Sequence, residues 1–340
     1  MRRYAGEELP AGCRIAIVAN DAIGNYVVST PLLQMLRAKW KPSAIHYYSG
    51  SRTQELWMAD PNIDWGFPLH GSEPNFSVLN AFAEIGEERY DLVVNLEWTA
   101  WAKCFTAVIA SLNTYVCGPC LGSDSRSDLA FEEDAQGRLW RDQEWISANL
   151  PLRYPFLQSG FIGEIFCRLA YLDGPVPTYE IPRENVSKEI PDLIISCAAS
   201  LPEKLWPAEK WIELVQRCKK EGLSVGLVGA KPTAQSLFWK GALEEEQLVE
   251  KRLVKDLRGV FQLPEVVGAL AKARAIVTID NGILHLAVAG GAPTIGLYRY
   301  GIHRLWAPPH ENLTVLTPAE NAEVATIEID AVWEALQRAL

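Results

Sequence analysis

Ala275-Ile276-Val277-Thr278-Ile279-Asp280-Asn281-Gly282-Ile283-Leu284-His285-Leu286-Ala287 is the stretch on which the reading of this chain turns. Five residues rich in β-branched side chains, with no polar alternation, predict a parallel strand covered on both faces. Asp280-Asn281-Gly282 ends that strand, with side chains suited to capping a helix and a glycine suited to a tight turn. Leu284, Leu286, Ala287 and Val288 give the following helix an apolar face. A strand, polar turn and helix in this order present backbone N–H groups and a positive helix end to an anion at the carboxyl edge of an α/β sheet. Two readings stay open from this stretch alone. Either Asp280 caps the helix and His285 is a packed core histidine, or both belong to a binding site.

The same rhythm runs outward in both directions. Ile15–Ala19, Ala44–Tyr48 and Asp91–Leu96 read as buried strands in the first half, and Leu193–Cys197, Ser224–Val228 and Thr294–Tyr298 in the second. Helical periodicity follows the first strand through Leu32, Leu33, Leu36 and Trp40, with Pro31 expected to kink or restart the helix. Further helices are expected at Gln54–Met58, Ala100–Leu112, Gln143–Asn149, Phe156–Leu172, Ala208–Glu221, after Pro264, and over the last ten residues. Prolines at 175, 177, 182 and 191 mark a linker. The expectation is an α/β protein of two Rossmann-like doubly wound parallel-sheet domains. Their bounds are 1–175, a linker 176–190, 191–325, and a C-terminal helix 326–340, with a ligand held in the cleft between the domains.

Composition narrows the function classes. The chain has 340 residues and a net charge of −10, which argues against a nucleic-acid partner. No run approaches the roughly 18 apolar residues of a membrane span. The charged N-terminus lacks the apolar core of a signal peptide, so a cytoplasmic protein is expected, at most peripherally associated with a membrane. Seven irregularly spaced cysteines do not describe a disulfide framework. Cys117-Gly118-Pro119-Cys120 matches a redox pair, but the loop composition after it lacks the helix N-terminus that lowers a reactive thiol's pKa. No second cysteine pair completes a zinc site, so neither metal nor cofactor is expected.

Several stretches together resemble glycosyltransferase family 9, the heptosyltransferases of lipopolysaccharide synthesis. Ala22-Ile23-Gly24-Asn25 with Ser29-Thr30-Pro31-Leu32-Leu33 resembles the family's opening motif, and Tyr90–Leu96 its middle N-domain strand. Lys204-Leu205-Trp206-Pro207 with Trp211 resembles its Lys-x-Trp-Pro segment. Asp256-Leu257-Arg258-Gly259 with Leu263-Pro264-Glu265 resembles the approach to its nucleotide pocket. The opening stretch, Asp280-x-Gly-x-x-His285-Leu-Ala, is the most specific of the set. The resemblance runs from about residue 13 to 310 in the family's order. It implies a two-lobed GT-B fold and metal-independent, inverting transfer of a heptose-like sugar from a nucleotide diphosphate-sugar, usually ADP-heptose, to a glycan or glycolipid acceptor. A departing diphosphate needs positive charge, which Lys204 and the N–H groups after Gly282 are placed to supply. Asp280 and Asn281 would fix the donor loop or bind sugar hydroxyls, with His285 as packed support.

The departures concern chemistry. The family's proposed base is an Asp directly after Ile-Gly, and Asn25 stands there; an amide does not accept a hydroxyl proton at neutral pH. Asp21 is one replacement, with helix capping as its other reading. Glu97 is another, flanked by Trp98 and Trp101, which either stack on an acceptor sugar or fill the core. Where the family continues Gly-Pro-Thr-Asp-Pro, this chain has Arg299-Tyr300-Gly301-Ile302-His303-Arg304, whose cations suit phosphate. Gly229-Ala230-Lys231-Pro232-Thr233 keeps a glycine turn but lacks an acidic ribose ligand. Residues 1–175 carry 14 Lys and Arg against 21 Asp and Glu, a net of −7, which favours a neutral or weakly charged acceptor. Three alternatives stand beside transfer: a homologue that binds without turnover, a nucleotide-sugar 2-epimerase, and a redox protein using Cys117 and Cys120.

Overall fold

The computed structural model describes residues 1–70, 89–124, 126–231 and 240–340. The chain divides into two compact lobes, Met1–Glu180 and Ile181–Leu340. Each is built on a six-stranded, all-parallel sheet.

In the N-terminal lobe the strands are β1 (Arg2–Arg3), β2 (Arg14–Val18), β3 (Ala44–Gly50), β4 (Trp65–His70), β5 (Leu92–Asn95) and β6 (Tyr115–Cys117). Their order is β1-β6-β5-β2-β3-β4. The chain moves outward from β2 through β3 to β4, then returns to place β5 on β2's other side. The β2–β5 boundary is therefore the switch point, where successive crossovers leave in opposite directions and open a crevice at the carboxyl ends. Ile15, Ala16, Ile17, Leu92, Val93 and Val94 are fully buried, as uninterrupted apolar strands require.

Helix α1 (Ile23–Trp40) follows β2 and α2 (Ala100–Ile109) follows β5. Pro31 sits inside an unbroken α1, so the expected restart does not occur. The helix expected at Gln143–Asn149 is instead turn, between helices Ala135–Arg141 and Leu150–Arg153. Asp134 explains the first of these, since its carboxylate caps Gly137 N at 2.7 Å. The Phe156–Leu172 helix shortens to Ile162–Leu169.

The C-terminal lobe contains β7 (Leu193–Ser196), β8 (Val225–Leu227), β9 (Lys255–Asp256), β10 (Ala275–Ile279), β11 (Thr294–Leu297) and β12 (Leu313–Leu316). Their order, β12-β11-β10-β7-β8-β9, is the doubly wound dinucleotide-fold arrangement with its switch point between β7 and β10. Helix α3 (Ala208–Lys220) buries Trp211, Leu214, Val215 and Cys218 against the sheet. Helix α4 (Gly282–Gly290) follows β10, and α5 (Ile329–Ala339) adds Val332, Ala335 and Leu336 to the same core. Residues 181–190 pack on this lobe: Glu184 N–H donates to the Pro264 carbonyl at 2.9 Å, and Val186 is buried. Among the described residues no helix is long and apolar enough to cross a membrane.

Candidate active site

Both switch points carry polar side chains, and they differ in kind. In the N-terminal lobe Val18 pairs with Asn95, so two residues later Asn20 and Glu97 leave the sheet beside each other. Asn20 Oδ1 accepts the Ala22 N–H at 2.7 Å and shapes the turn into α1. Asn95 does the same for β5, with Oδ1 accepting the Glu97 N–H at 2.8 Å and Nδ2 donating to the Pro119 carbonyl at 2.7 Å.

Glu97 is partly buried between these turns, and burial pushes its carboxyl up to about 7. Hydrogen bonds with Asn20 and with the Asn25 side chain act the other way, favouring the charged form. Asn25 thus lies in α1's first turn with its amide on the Glu97 carboxylate.

Asp21 is committed elsewhere. Arg52 donates to its Oδ2 from Nε at 2.7 Å and to its Oδ1 from the backbone N–H at 3.1 Å. The carboxylate lies over Gly50, where a Cβ would sit 2.1 Å from Asp21 Cγ. Asp21 does not cap α1 either, because the N-cap position is Ala22 and has no side-chain bond.

Trp98 and Trp101 are 48% and 39% exposed. The core-filling reading fails for them because α2 turns Ala102, Phe105, Thr106 and Ile109 inward. Trp101 stacks on Phe105 at 5.2 Å, and Trp98 meets Phe131 at 5.8 Å and Trp140 at 6.0 Å. Both rings are held by these neighbours and remain partly exposed.

The cysteine pair has no redox poise. Cys117 ends β6 rather than opening a helix, and burial pushes its thiol up to about 12 and that of Cys120 to about 11. The Gly-Pro between them has a packing role. Gly118 has φ +93°, and a Cβ there would lie 2.0 Å from the Asn95 carbonyl oxygen. The motif brings the Pro119 carbonyl onto Asn95 and so steadies the turn that carries Glu97.

In the C-terminal lobe the polar groups converge on the end of β10. Asn281, not Asp280, caps α4: its Oδ1 accepts the Leu284 N–H at 3.1 Å, and its Nδ2 donates to Ser196 Oγ and the Ala198 carbonyl. The turn needs no left-handed glycine, since Asn281 is extended and Gly282 is the first helical residue. Asp280 is thereby free for another partner. Lys204 Nζ lies 2.8 Å from Asp280 Oδ2 and donates to the Asp280 carbonyl at 3.1 Å.

Lys204 rides on a turn, Pro202–Lys204, anchored by its neighbours. Trp206 is fully buried, donates from Nε1 to the Ile327 carbonyl at 2.9 Å, and meets Trp211 edge-on. Arg299, after β11, reaches Glu203 at 3.3 Å and ties the same turn to the sheet. His285 is buried, with its imidazole pushed down to about 4 by burial against the opposing pull of Asp280. It is neutral at physiological pH and packs near Trp306. Arg304 donates to the Tyr300 hydroxyl at 3.2 Å.

Sequence reasoning missed one cluster. The Arg258 guanidinium is buried among Asp256 at 2.9 Å, Glu246 at 2.7 Å and Glu245 at 3.4 Å. Asp256 stands two residues before it in the quoted motif, whereas Glu245 and Glu246 come from the helix Ala242–Glu250, with no spacing signal to reveal them. Pro232 and Thr233 lie outside the described residues. Among those described, no group of three or more His, Cys, Asp or Glu side chains could hold a metal ion.

Known proteins share this architecture. The crystal structure of a glycosyl transferase family 9 protein from Veillonella parvula covers 98% of each chain with a TM-score of 0.74 at 17% identity. Escherichia coli ADP-heptose lps heptosyltransferase II covers 96% of this chain and 98% of its own, with a TM-score of 0.67 at 18% identity. The family model for glycosyltransferase family 9 (heptosyltransferase) matches residues 176–331. Lipopolysaccharide heptosyltransferase 2 of Escherichia coli K12 is 36% identical over 301 residues, covering 84% of this chain and 82% of that protein.

The chain belongs to glycosyltransferase family 9.

As a family 9 glycosyltransferase it has two tasks, to neutralise a leaving group and to deprotonate an incoming hydroxyl. The C-terminal edge offers a fixed cation beside a helix N-terminus. The N-terminal edge offers a carboxylate poised near neutrality, between exposed indole rings and amides.

Proposed function

We propose that this family 9 glycosyltransferase moves a heptose-like sugar from an ADP-sugar donor to a lipopolysaccharide core or related glycan, with inversion and without a metal ion. The observation that carries the reading is Lys204, held 2.8 Å from Asp280 just before the N-cap of α4. As the C1–O bond breaks, charge builds on the diphosphate. An ammonium group and the positive end of a helix are preorganised for it, so no Mg²⁺ is required. The sugar and acceptor classes are supported by the relatives: one is named a lipopolysaccharide heptosyltransferase, and one solved structure is named for ADP-heptose.

On this reading Asp280 and Asn281 fix the Lys204 turn and α4, while Arg299 positions the turn through Glu203. Trp98 and Trp101 give the acceptor sugar apolar faces. A lobe whose residues 1–175 carry a net charge of −7 receives a neutral or weakly charged part of the acceptor. The lipid-linked acceptor is met at the cytoplasmic membrane face by peripheral contact.

The test is calorimetric titration with ADP, GDP, UDP and CDP in the presence of EDTA. ADP is expected to bind with micromolar affinity and Lys204→Ala to weaken it at least tenfold, about 1.4 kcal/mol. Binding of none of the four, or binding only after Mg²⁺ is added, would overturn the reading.

A further inference from the structure

We propose that Glu97 is the general base of the transfer and that Asn25, at the position where the family's proposed base stands, is the residue that positions it. This rests on the transfer reading above and deepens it.

The argument begins with topology. β2 and β5 flank the switch point of the N-terminal sheet, and their register puts Asn20 and Glu97 side by side just beyond its carboxyl edge. Asn25 comes from α1's first turn with its amide on the same carboxylate. Moving the carboxylate from α1 to the end of β5 keeps one acid at that edge and converts its neighbour into a donor. Two acids there would repel and share a proton, whereas an amide orients the carboxylate it faces.

The surroundings agree. Asn95 fixes the Glu97 backbone, Gly118 and Pro119 fix Asn95, and the partly exposed Trp98 follows Glu97 directly in the chain. The other charged groups nearby are already engaged: Asp21 with Arg52, and Lys103 of α2 with Asp128. From β3, burial pushes the Tyr47 phenol up, with the Asp60 and Glu97 charges adding to it, so it stays neutral. Among the described residues no cation forms a salt bridge with Glu97, and burial holds it near neutrality, where a base transfers protons best.

The step balances simply. An acceptor hydroxyl oxygen forms the new bond to C1 while the C1–O bond to the β-phosphate breaks and its electron pair leaves on the nucleoside diphosphate. The hydroxyl proton passes to a Glu97 carboxylate oxygen and from there to solvent. Lys204 stabilises the new charge on the leaving group.

The experiment follows ADP release from ADP-heptose with heptose-deficient lipopolysaccharide core as acceptor, beside ADP titration of each variant. Glu97→Gln is expected to bind ADP as the wild type does and to transfer at least a hundredfold more slowly. The wild-type kcat/KM should fall on the acid side through an apparent pKa near 7, and Asn25→Ala should move that limb upward by removing a bond to the charged form. Transfer by Glu97→Gln within threefold of wild type would overturn the inference, as would a limb that Asn25→Ala leaves in place. If Glu97→Gln loses ADP binding through misfolding, Glu97→Asp decides instead: slowed transfer with a displaced limb supports the assignment, and an unmoved limb overturns it. Failure of the wild type itself to bind ADP or release it would strike at the transfer reading, a result distinct from any of these.

Discussion

The two switch points occupy the same place in their sheets and treat a carboxylate in opposite ways. Asp280 follows β10 and receives a lysine at 2.8 Å; Glu97 follows β5 and receives amides. A cation beside a carboxylate fixes an ion pair whose lysine is ready for a phosphate. Amides beside a partly buried carboxylate orient it while leaving its charge open to change. Sites that divide acid–base work do so by separating the environments of their titratable groups, and each lobe's sheet here carries one of the two environments at its switch point.

The contrast is most easily broken at Lys204. Lys204→Ala leaves Asp280 buried and unpaired, which costs about 3 kcal/mol of stability, the lower end for a broken buried pair because the lysine is partly exposed. Urea denaturation measures it, and Lys204→Ala, Asp280→Ala together should recover part of the loss. Equal losses in the single and double variants would show that the pair is incidental.

Glu97 should behave in the opposite sense. Its carboxyl titrates near 7 in the folded protein against 4.5 in the unfolded chain. The unfolded chain therefore loses its proton first as pH rises, and the folded state is disfavoured progressively from pH 4.5 to 7. Glu97→Gln removes that penalty, so it should be more stable than wild type at pH 8, by at most about 3 kcal/mol, and not at pH 4. A variant that gains stability while losing transfer is the mark of a functional strain.

Buried histidines sharpen the pH profile from the other side. His285 and His46 are both held down to about 4 from 6.5 by burial. As pH falls from 6.5 towards 4, the unfolded chain takes up protons that these imidazoles refuse, so stability declines with acid. Glu97 runs against this trend above pH 4.5, and Glu97→Gln should steepen the decline. The smallest expected effect belongs to the cap: Asn281→Ala should cost about 1 kcal/mol by thermal denaturation.

Much of this was legible because parallel strands announce themselves as apolar runs. β2, β3, β5, β7, β8, β10 and β11 all read directly from sequence. The strands that did not are short, mixed or at an edge: Arg2–Arg3 and Lys255–Asp256 have two residues each, Tyr115–Cys117 has three, Trp65–His70 contains glycine and proline, and Leu313–Leu316 is the edge strand of its sheet. They exist because a neighbouring ladder accepts them, which is tertiary information. Lys204 and Asp280 were both marked by their motifs, yet their pairing joins residues 76 apart. Asp280 and Asn281 both suit a cap in sequence, and only geometry selects Asn281. Asn25 showed that the expected base was missing; that Glu97 stands beside it follows from the β2–β5 register, which no local pattern encodes.

The division of labour is tested most directly by measuring ADP affinity and transfer rate side by side for Lys204→Gln and Glu97→Gln. The account predicts that Lys204→Gln weakens ADP binding at least tenfold, while Glu97→Gln binds ADP normally and transfers at least a hundredfold more slowly. A Glu97→Gln enzyme that transfers at the wild-type rate, or a Lys204→Gln enzyme that binds ADP as tightly as wild type, would contradict it.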